Sequence, residues 1–285
     1  MVKTDCPNQS FLLPLYADLL LIRMITDCKM FEPTFYYSVV GTMIALAVVV
    51  FFALQRVTAG YGMMYTKKWG PVIGNRLGWI IMEAPSFIAM LMFWLSSPRA
   101  AQPALVVMAS LFEIHYFQRS FIFPFLIRGK GHMPVAIIAM GILFNIINAY
   151  MIGGWLFYVS PADAYPVSWL SGPLFILGTL IFVSGMIINI GSDSIIRGLR
   201  KPGDTRHYIP QGGMYRYVTS ANYLGEFTEW IGFAILTWSL GGLAFAIWTF
   251  ANLAPRARSI HYRYISEFGD RYASLNRKYI LPFIY

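Results

Sequence analysis

Long apolar runs alternate with short basic segments along most of this chain. A membrane-spanning helix needs about 20 mostly apolar residues, and we interpret seven of the runs as spans. A tight turn near Gly241 and Gly242 separates the last two. The predicted spans are residues 34–54, 77–95, 102–127, 133–158, 168–196, 220–238 and 240–254. The pattern therefore predicts an all-α integral membrane protein with seven transmembrane helices.

The basic residues fall mostly on one side of these spans. Of the 22 lysines and arginines, 17 lie in the segments after spans one, three, five and seven, four lie on the other side, and Arg119 lies inside a span. Because short cytoplasmic segments carry the excess of Lys and Arg, we expect the N-terminus outside and the C-terminus in the cytosol. The predicted organisation is an extracytosolic segment (1–33), a seven-helix membrane domain (34–254) and a cytosolic tail (255–285).

The composition excludes several classes of protein. Hydrophobic residues make up 57% of the chain and charged residues 12%, against roughly 25% charged in an average soluble domain. A soluble dinucleotide-fold enzyme, a zinc-finger protein and a nucleic-acid binder do not fit these values. The two cysteines, Cys6 and Cys28, precede the first span, and no Cys/His cluster accompanies them. No metal site is therefore expected, and a disulfide between the two cysteines is left open.

Polar residues form two narrow stripes inside the predicted spans, where such groups are costly and usually functional. At about 100° per residue, each set falls on one helical face. The first stripe is Asn189 and Asp193 in span five, continued by Arg197 and Arg200 just beyond its end, and the second is Asn222, Glu226 and Glu229 in span six. Otherwise apolar helices do not direct such stripes toward lipid, so the stripes are expected to face each other or a shared cavity. The alternative is plain interhelical pairing, which is common and individually weak.

Other polar groups point beyond simple helix pairing. Glu83, Glu113 and Tyr116 lie in spans two and three, where helix pairing alone gives them no purpose. The loop over residues 200–213 is rich in arginine, whose guanidinium binds phosphate bidentately. A phosphate-binding loop and an ordinary topology-setting basic loop are both compatible with this sequence.

Several motifs follow one another between residue 75 and the C-terminus. The densest block holds Arg200-Lys-Pro-Gly, then Ile209-Pro-Gln-Gly-Gly, then Ala221-Asn-Tyr-Leu-Gly-Glu-Phe-Thr-Glu-Trp. MEAPSF and HYFQRSFIF stand upstream, and the chain ends in NRKYILPFIY. On these motifs the chain resembles the steroid 5α-reductase family over about residues 75–285. We expect a bacterial member.

The resemblance implies a membrane enzyme that uses NADPH to reduce the 4,5 double bond of 3-oxo-4-ene steroids to 5α-steroids. Hydride addition to such an olefin moves charge onto the ketone oxygen, and a donor placed there lowers the barrier. Glu83 and Tyr116 match the family's carbonyl-binding pair. Because burial disfavours a charged carboxyl, we expect Glu83 to donate a hydrogen bond to the 3-ketone, as Tyr116 can.

The resemblance also places NADPH inside the helix bundle, with its site open to the cytosol and with a contribution from the tail. The family pattern differs at Arg206, His207 and Tyr208, just before Ile209, and Arg206 is a candidate replacement for a displaced phosphate-binding arginine. The cofactor-binding residues that the resemblance implies are Tyr61, Asn189, Asp193, Arg200, Asn222, Glu226, Arg256, His261 and Tyr264.

Other functions stay open at this point. They include another ene-reductase of the superfamily, acting on an enoyl thioester or a polyprenol, and a membrane methyltransferase with a similar C-terminal half. A non-enzymatic sterol or lipid transporter is the alternative of a different class. The expected partners are the steroid substrate and membrane lipids, with no nucleic acid and no obligate protein partner. The expected location is a bacterial inner membrane or a membrane of the endoplasmic-reticulum type.

Overall fold

Helices dominate the structure, a computed structural model that describes residues 29–128, 131–201, 204 and 206–285. Most of the predicted segment 1–33, with Cys6 and Cys28, lies outside the described residues. The α-helices are α1 Pro33–Leu54, α2 Asn75–Leu95, α3 Pro103–Phe117, α4 Phe123–Leu126, α5 Val135–Ala149, α6 Pro173–Gly198, α7 Ala221–Thr237, α8 Leu240–Phe268 and α9 Asp270–Ala273. A π-helical turn, Gln118–Ile122, joins α3 to α4, and a second, Tyr150–Val159, extends α5. Short 3-10 turns occupy Lys29–Phe31, Gly62–Met64, Lys67–Trp69, Val167–Ser171 and Gly213–Arg216.

Each of the seven predicted spans coincides with a helical segment. Four of these segments are long and apolar enough to cross a bilayer, namely Pro33–Leu54, Asn75–Leu95, Val135–Val159 and Pro173–Gly198. These helices confirm the prediction of an α-helical integral membrane protein. The count of seven spans stays a prediction, since α3 has 15 residues and α7 has 17.

Two details near the last span differ from the sequence pattern. Helix α8 has 29 residues and continues through Pro255 well past residue 254. The predicted span ends at residue 254 because hydropathy falls at Arg256, but a fall in hydropathy does not end a helix. The turn before α8 lies at Trp238, which has a left-handed φ of 45°. The side chain of Ser239 then caps α8, so Gly241 and Gly242 lie inside its first turn.

Segments that the sequence places on the cytosolic side contact one another at one end of the bundle. Strand β1 (Val72–Gly74), after α1, pairs antiparallel with β2 (His132–Pro134), after α4. Arg128 Nη1, also after α4, donates to the carbonyl oxygen of Arg197 near the end of α6 at 3.1 Å. The segments that follow α1, α4 and α6 thus contact one another, and the side of the membrane that they face stays a prediction.

Glycines bring α6 and α7 into backbone contact. A Cβ atom added at Gly185 would lie 2.6 Å from Cα of Glu229, and one at Gly225 would lie 2.7 Å from Cα of Asn189. These distances are too short for any side chain, and small residues are what allow helices to approach so closely. The contact places the polar stripes of α6 and α7 side by side. The glycines at this contact are Gly178 and Gly185 on α6, and Gly225 and Gly232 on α7.

An aromatic core around Trp230 holds α3 against α7 and α8. The Trp230 ring is 1% exposed, and its centroid lies 4.2 Å from Phe245 and 4.6 Å from His115. Phe112 packs on both Trp230 and Tyr116, with centroid distances of 5.8 and 4.6 Å. The orientation of the polar groups on α3 is therefore set by dense apolar packing.

We predict that Gly185→Ala destabilises the bundle by about 1–3 kcal/mol, because the added methyl group forces α6 and α7 apart. Gly191→Ala on the same helix is the matched control, since no atom lies within 4 Å of its added Cβ. Alanine is the better helix former by about 1 kcal/mol, so the control is expected to be neutral or slightly stabilising. Thermal unfolding of the purified variants in detergent measures the difference, and equal midpoints would contradict the close contact.

Candidate active site

Glu83 and Tyr116 are linked through one asparagine. Asn145 Nδ2 donates to Glu83 Oε2 at 3.3 Å and to the carbonyl oxygen of Met82 at 2.7 Å. Tyr116 Oη donates to Asn145 Oδ1 at 3.4 Å and accepts from Asn148 Nδ2 at 3.1 Å. Asn145 and Asn148 share one face of α5 because they are three residues apart. Helices α2, α3 and α5 thus bring the two predicted carbonyl-binding groups together.

A second buried pair lies on the next face of α3. His115 Nδ1 is 2.8 Å from Oε1 of Glu229, whose side chain is completely buried on α7. Glu229 Oε2 has no hydrogen-bond partner among the described residues. The pair ties α3 to α7 directly beside Tyr116, which follows His115 in the chain.

Arg119 lies at the centre of the charged interior. Its guanidinium is 3.3 Å from Asp193 Oδ2 and 3.6 Å from Glu226 Oε2. It also faces the rings of Trp79 and Phe123, at 4.7 and 4.4 Å from their centroids. One buried arginine at the π-helical turn therefore balances carboxylates from α6 and α7.

The amides of the two polar stripes complete this cluster. Asn222 Nδ2 donates to Asp193 Oδ1 at 3.1 Å, and Asn189 Nδ2 donates to the carbonyl oxygen of Asn222 at 2.9 Å. With Glu226, four of the predicted cofactor-binding residues lie in one place. Their side chains also form hydrogen bonds and ion pairs within the cluster, so the polar stripes contribute to pairing between helices.

Tyr61 and Arg256 form a neighbouring unit. The Arg256 guanidinium stacks 3.7 Å from the centroid of the Tyr61 ring, and its Nη2 donates to the Tyr61 carbonyl oxygen at 2.9 Å. Arg256 also donates to Tyr223 Oη on α7 at 2.9 Å. The Tyr61 ring contacts Trp79 at 6.3 Å, and Trp79 faces Arg119. This unit therefore adjoins the Arg119 cluster through one indole.

His261 and Tyr264 lie farther along α8, beyond the predicted span. His261 Nδ1 is 2.7 Å from Thr219 Oγ1 and 3.2 Å from Tyr272 Oη. Burial lowers the pKa of His261. The Tyr264 ring packs on Tyr272 at 5.1 Å. These two residues are thus part of a packed tail and make no direct contact with Arg119 among the hydrogen bonds and ring contacts of the described residues.

The basic loop after α6 binds largely to itself. Arg200 Nε donates to the carbonyl oxygen of Arg206 at 2.7 Å. The Arg206 side chain is 78% exposed and lies 3.1 Å from Asp204, and its hydrogen bond lowers the pKa of that carboxyl. Tyr208 Oη also donates to Asp204. A phosphate bound by Arg206 would have to compete with this carboxylate.

Several residues complete the site although the sequence pattern assigned them no role in it. They are Arg119, Asn145, Asn148 and His115, and they are joined by Glu229, which the sequence placed in the stripe of span six without naming it as a site residue. The signal was present for Arg119, because an arginine inside a span requires buried carboxylates nearby. The role of Asn145 depends on which helix α5 packs against, which spacing along one helix does not reveal.

Buried polar atoms around the cluster lack partners among the described residues. Ser120 follows Arg119 in the π-helical turn, and Ser220 immediately precedes α7. Native proteins rarely leave such atoms unpaired unless a ligand or water binds them. The interior therefore offers unpaired polar atoms that can form hydrogen bonds with a polar ligand. The hydroxyl oxygens concerned are those of Ser120, Tyr215 and Ser220.

Proteins of similar sequence are steroid-converting enzymes. The family model described as 3-oxo-5-alpha-steroid 4-dehydrogenase matches residues 131–285. The 3-oxo-5-alpha-steroid 4-dehydrogenase 1 of Mus musculus is 40% identical over 244 residues, which cover 84% of this chain and 92% of the relative. This chain belongs to the steroid 5α-reductase family.

The similarity extends across animal and plant members of the steroid 5α-reductase family. The 3-oxo-5-alpha-steroid 4-dehydrogenase 1 of Homo sapiens is 40% identical over 212 residues, covering 74% of this chain and 80% of the relative. Steroid 5-alpha-reductase DET2 of Arabidopsis thaliana is 33% identical over 260 residues, covering 89% and 98%. The membership confirms the resemblance seen in the motifs. Together with the four apolar helices, it identifies a membrane-bound oxidoreductase of steroid metabolism.

We predict that Arg119→Met destabilises the protein strongly. The substitution keeps an unbranched apolar stem but leaves Asp193 and Glu226 buried without their cation, and removing one partner of a buried pair costs about 3–5 kcal/mol. Adding Asp193→Asn to Arg119→Met is expected to restore part of the loss, because it removes one uncompensated charge. Unfolding midpoints of the single and double variants test this, and an unchanged midpoint for Arg119→Met would refute the central role of the arginine.

The tail around His261 is expected to loosen on acidification. Burial lowers the pKa of His261 in the folded protein below its usual value of about 6.5. The unfolded chain therefore binds more protons between the two pKa values, and stability falls as the pH drops below about 6.5. His261→Gln should flatten the decline of the unfolding midpoint between about pH 7.5 and 5.5. His132→Gln, at an exposed histidine of β2, is the control for removing a histidine, and an equal flattening in both variants would contradict the role of His261.

Proposed function

We propose that this protein reduces the 4,5 double bond of 3-oxo-4-ene steroids to 5α-steroids, with NADPH as the reductant. The observation that supports it best is the bridge through Asn145, which holds Glu83 and Tyr116 together in the helical interior. The relatives named 3-oxo-5-alpha-steroid 4-dehydrogenase supply the reaction class.

Glu83 and Tyr116 are suited to polarising the steroid ketone. Tyr116 Oη already accepts a hydrogen bond from Asn148, so its own proton is available for an acceptor. The bond that this proton now makes to Asn145 is long, at 3.4 Å, and a ketone oxygen can replace it. The neutral carboxyl of Glu83 adds a second donor. As a hydride adds to C5, negative charge develops on the ketone oxygen, and two donors fixed in an apolar site stabilise it.

The cluster around Arg119 is suited to holding the cofactor. NADPH, when bound, supplies the hydride. The carboxylates and amides on α6 and α7 match a carboxamide and ribose hydroxyls, and the unpartnered hydroxyls nearby fit a ligand rich in polar groups. The residues proposed to hold this end are Asn189, Asp193, Asn222 and Glu226. Arg256 and Tyr61 adjoin them, while Arg200, His261 and Tyr264 are proposed for the phosphates and the cytosolic end.

The arrangement of the chain across the membrane follows the same proposal. We place seven spans in the bilayer, the N-terminus outside and the joined basic segments in the cytosol, in line with the distribution of Lys and Arg. The cofactor then reaches its site from the cytosolic end. The steroid, being apolar, reaches Glu83 and Tyr116 from the lipid.

We predict that Glu83→Gln and Tyr116→Phe each lower kcat about 100- to 1,000-fold, the range found when a donor to a developing oxyanion is removed. The measurement is reduction of progesterone or testosterone by purified protein in lipid nanodiscs, followed by mass spectrometry of the saturated ketone. NADPH binding and the unfolding midpoint are expected to stay near the wild-type values.

Glu32→Gln is the matched control, because Glu32 is an exposed glutamate ahead of α1. Wild-type protein that binds NADPH but reduces neither steroid would overturn the steroid assignment. Reduction of an enoyl thioester or a polyprenol instead would identify a different ene-reductase, and steroid movement across vesicles without NADPH oxidation would identify a transporter.

A further inference from the structure

An apolar groove runs along the outside of α2, α3 and α6. Its volume is about 620 Å³, which lies within the range of roughly 300–1,000 Å³ typical of small-molecule sites. Phe117 and Ile190 on its rim are 49% and 37% exposed. The groove therefore opens sideways, toward the lipid. Its lining includes Phe87 and Trp94 on α2, Phe117 on α3, and Met186 and Ile190 on α6.

Three polar side chains, those of Ser110, Glu113 and Gln118, interrupt this apolar lining, and Glu113 supplies a carboxyl group. Glu113 on α3 lines the groove, is 7% exposed, and neither of its carboxyl oxygens has a hydrogen-bond partner among the described residues. Arg119, six residues farther along the chain, pairs with Asp193 and Glu226, and no described hydrogen bond or ion pair joins it to Glu113. Burial of a polar group without a partner is costly, so a ligand that hydrogen-bonds to Glu113 would gain an interaction that the protein leaves unfilled.

The depth of Glu113 restricts what that ligand is. The helical rod from α3 to α4 covers residues 103–126, and Glu113 lies near its middle. At about 1.5 Å per residue, it is some 15 Å or more from either end, which is the distance from the midplane to the headgroups of a bilayer about 30 Å thick. A phospholipid brings only hydrocarbon to this depth. A compact apolar molecule with its own ketone or hydroxyl oxygen can satisfy Glu113, and a steroid has this form.

The groove also adjoins the proposed active site. Phe87 lies one helical turn after Glu83 on α2, and Glu113 lies three residues before Tyr116 on α3. Because residues three or four apart share a helical face, the groove and the carbonyl-binding pair occupy neighbouring stretches of the same two helices.

We propose that the groove is a second steroid site, in which Glu113 hydrogen-bonds to a ketone or hydroxyl oxygen of a membrane-dissolved steroid before the steroid reaches Glu83 and Tyr116. This role in delivering substrate rests on the proposed function. The site does not take part in the chemical step, so it contributes to substrate capture and not to turnover.

Photolabelling tests occupancy without requiring turnover. The probe is a 3-oxo-4-ene steroid that carries an alkyl diazirine, added to the purified protein in nanodiscs, with the labelled peptides mapped by mass spectrometry. We expect labelling of the peptide that contains Glu113, displacement by excess progesterone, loss in Glu113→Leu and retention in Glu83→Gln. Absent labelling, or labelling that progesterone does not displace, would overturn the proposal, because the latter indicates general partition into the membrane.

Kinetics provide the second test. Glu113→Leu is expected to raise KM for progesterone about tenfold with kcat within about twofold, the pattern of lost uniform binding. Glu113→Gln, which keeps hydrogen-bonding capacity, should raise KM less, and Glu32→Leu should leave it unchanged. An unaltered KM in Glu113→Leu would overturn the delivery role.

The two proposals fail in different ways. Displaceable labelling without steroid reduction would support the second site and overturn the proposed function. Steroid reduction without displaceable labelling would support the proposed function and overturn the second site.

Discussion

Helices α6 and α7 touch backbone to backbone at four glycines, and this contact decides where the polar interior can form. A Cβ atom at Gly185 would lie 2.7 Å from the carbonyl oxygen of Gly225, so no larger residue is compatible with the spacing. The close approach sets Asn189 against Gly225 and Glu229 against Gly185. In a bilayer, where lipid tails are as apolar as leucine, such packing and the hydrogen bonds between helices are what hold them together.

The buried arginine follows from that contact. Once Asp193 and Glu226 are held on adjoining helices, an uncompensated pair of carboxylates would be far more costly than a paired one. Arg119 supplies the charge from α3, at a π-helical turn flanked by Trp79 and Phe123. Three helices are therefore fixed relative to one another by one cation. Helix α7 carries its share of these groups within 17 residues, fewer than the roughly 20 that a span needs, so its length alone does not identify it as a span.

Much of this organisation could be predicted from the sequence. Apolar runs located the helices to within a few residues, because a bilayer demands long apolar stretches, and helical periodicity placed Asp193, Asn222 and Glu226 on facing stripes. The extension of α8 beyond residue 254 was missed because hydropathy reports on lipid and not on helicity. The bridge through Asn145 was missed for another reason: it joins α2, α3 and α5, and single-helix spacing carries no information about which helices are neighbours.

The groups around Arg119 differ electrostatically from the hydrogen-bond partners of Glu83 and Tyr116. The difference matches the two roles proposed for them, which are cofactor binding and polarisation of the ketone. Around Arg119 the groups are ionic, with carboxylates at 3.3 and 3.6 Å. The hydrogen-bond partners of Tyr116 and Glu83 are the amides of Asn145 and Asn148, and the His115–Glu229 pair lies beside the Tyr116 ring. A fixed cation beside Glu83 would hold that carboxyl in its charged form, which accepts hydrogen bonds and cannot donate one. Amide partners do not favour the charged form of the carboxyl in this way. In a region of low dielectric their dipoles interact strongly with an oxygen atom placed between them. The described ion pairs of Arg119 are with Asp193 and Glu226, and the described hydrogen bond to Glu83 comes from an amide. An amide partner for Glu83 is therefore what the proposed chemistry requires, and the packing of α5 against α2 provides it.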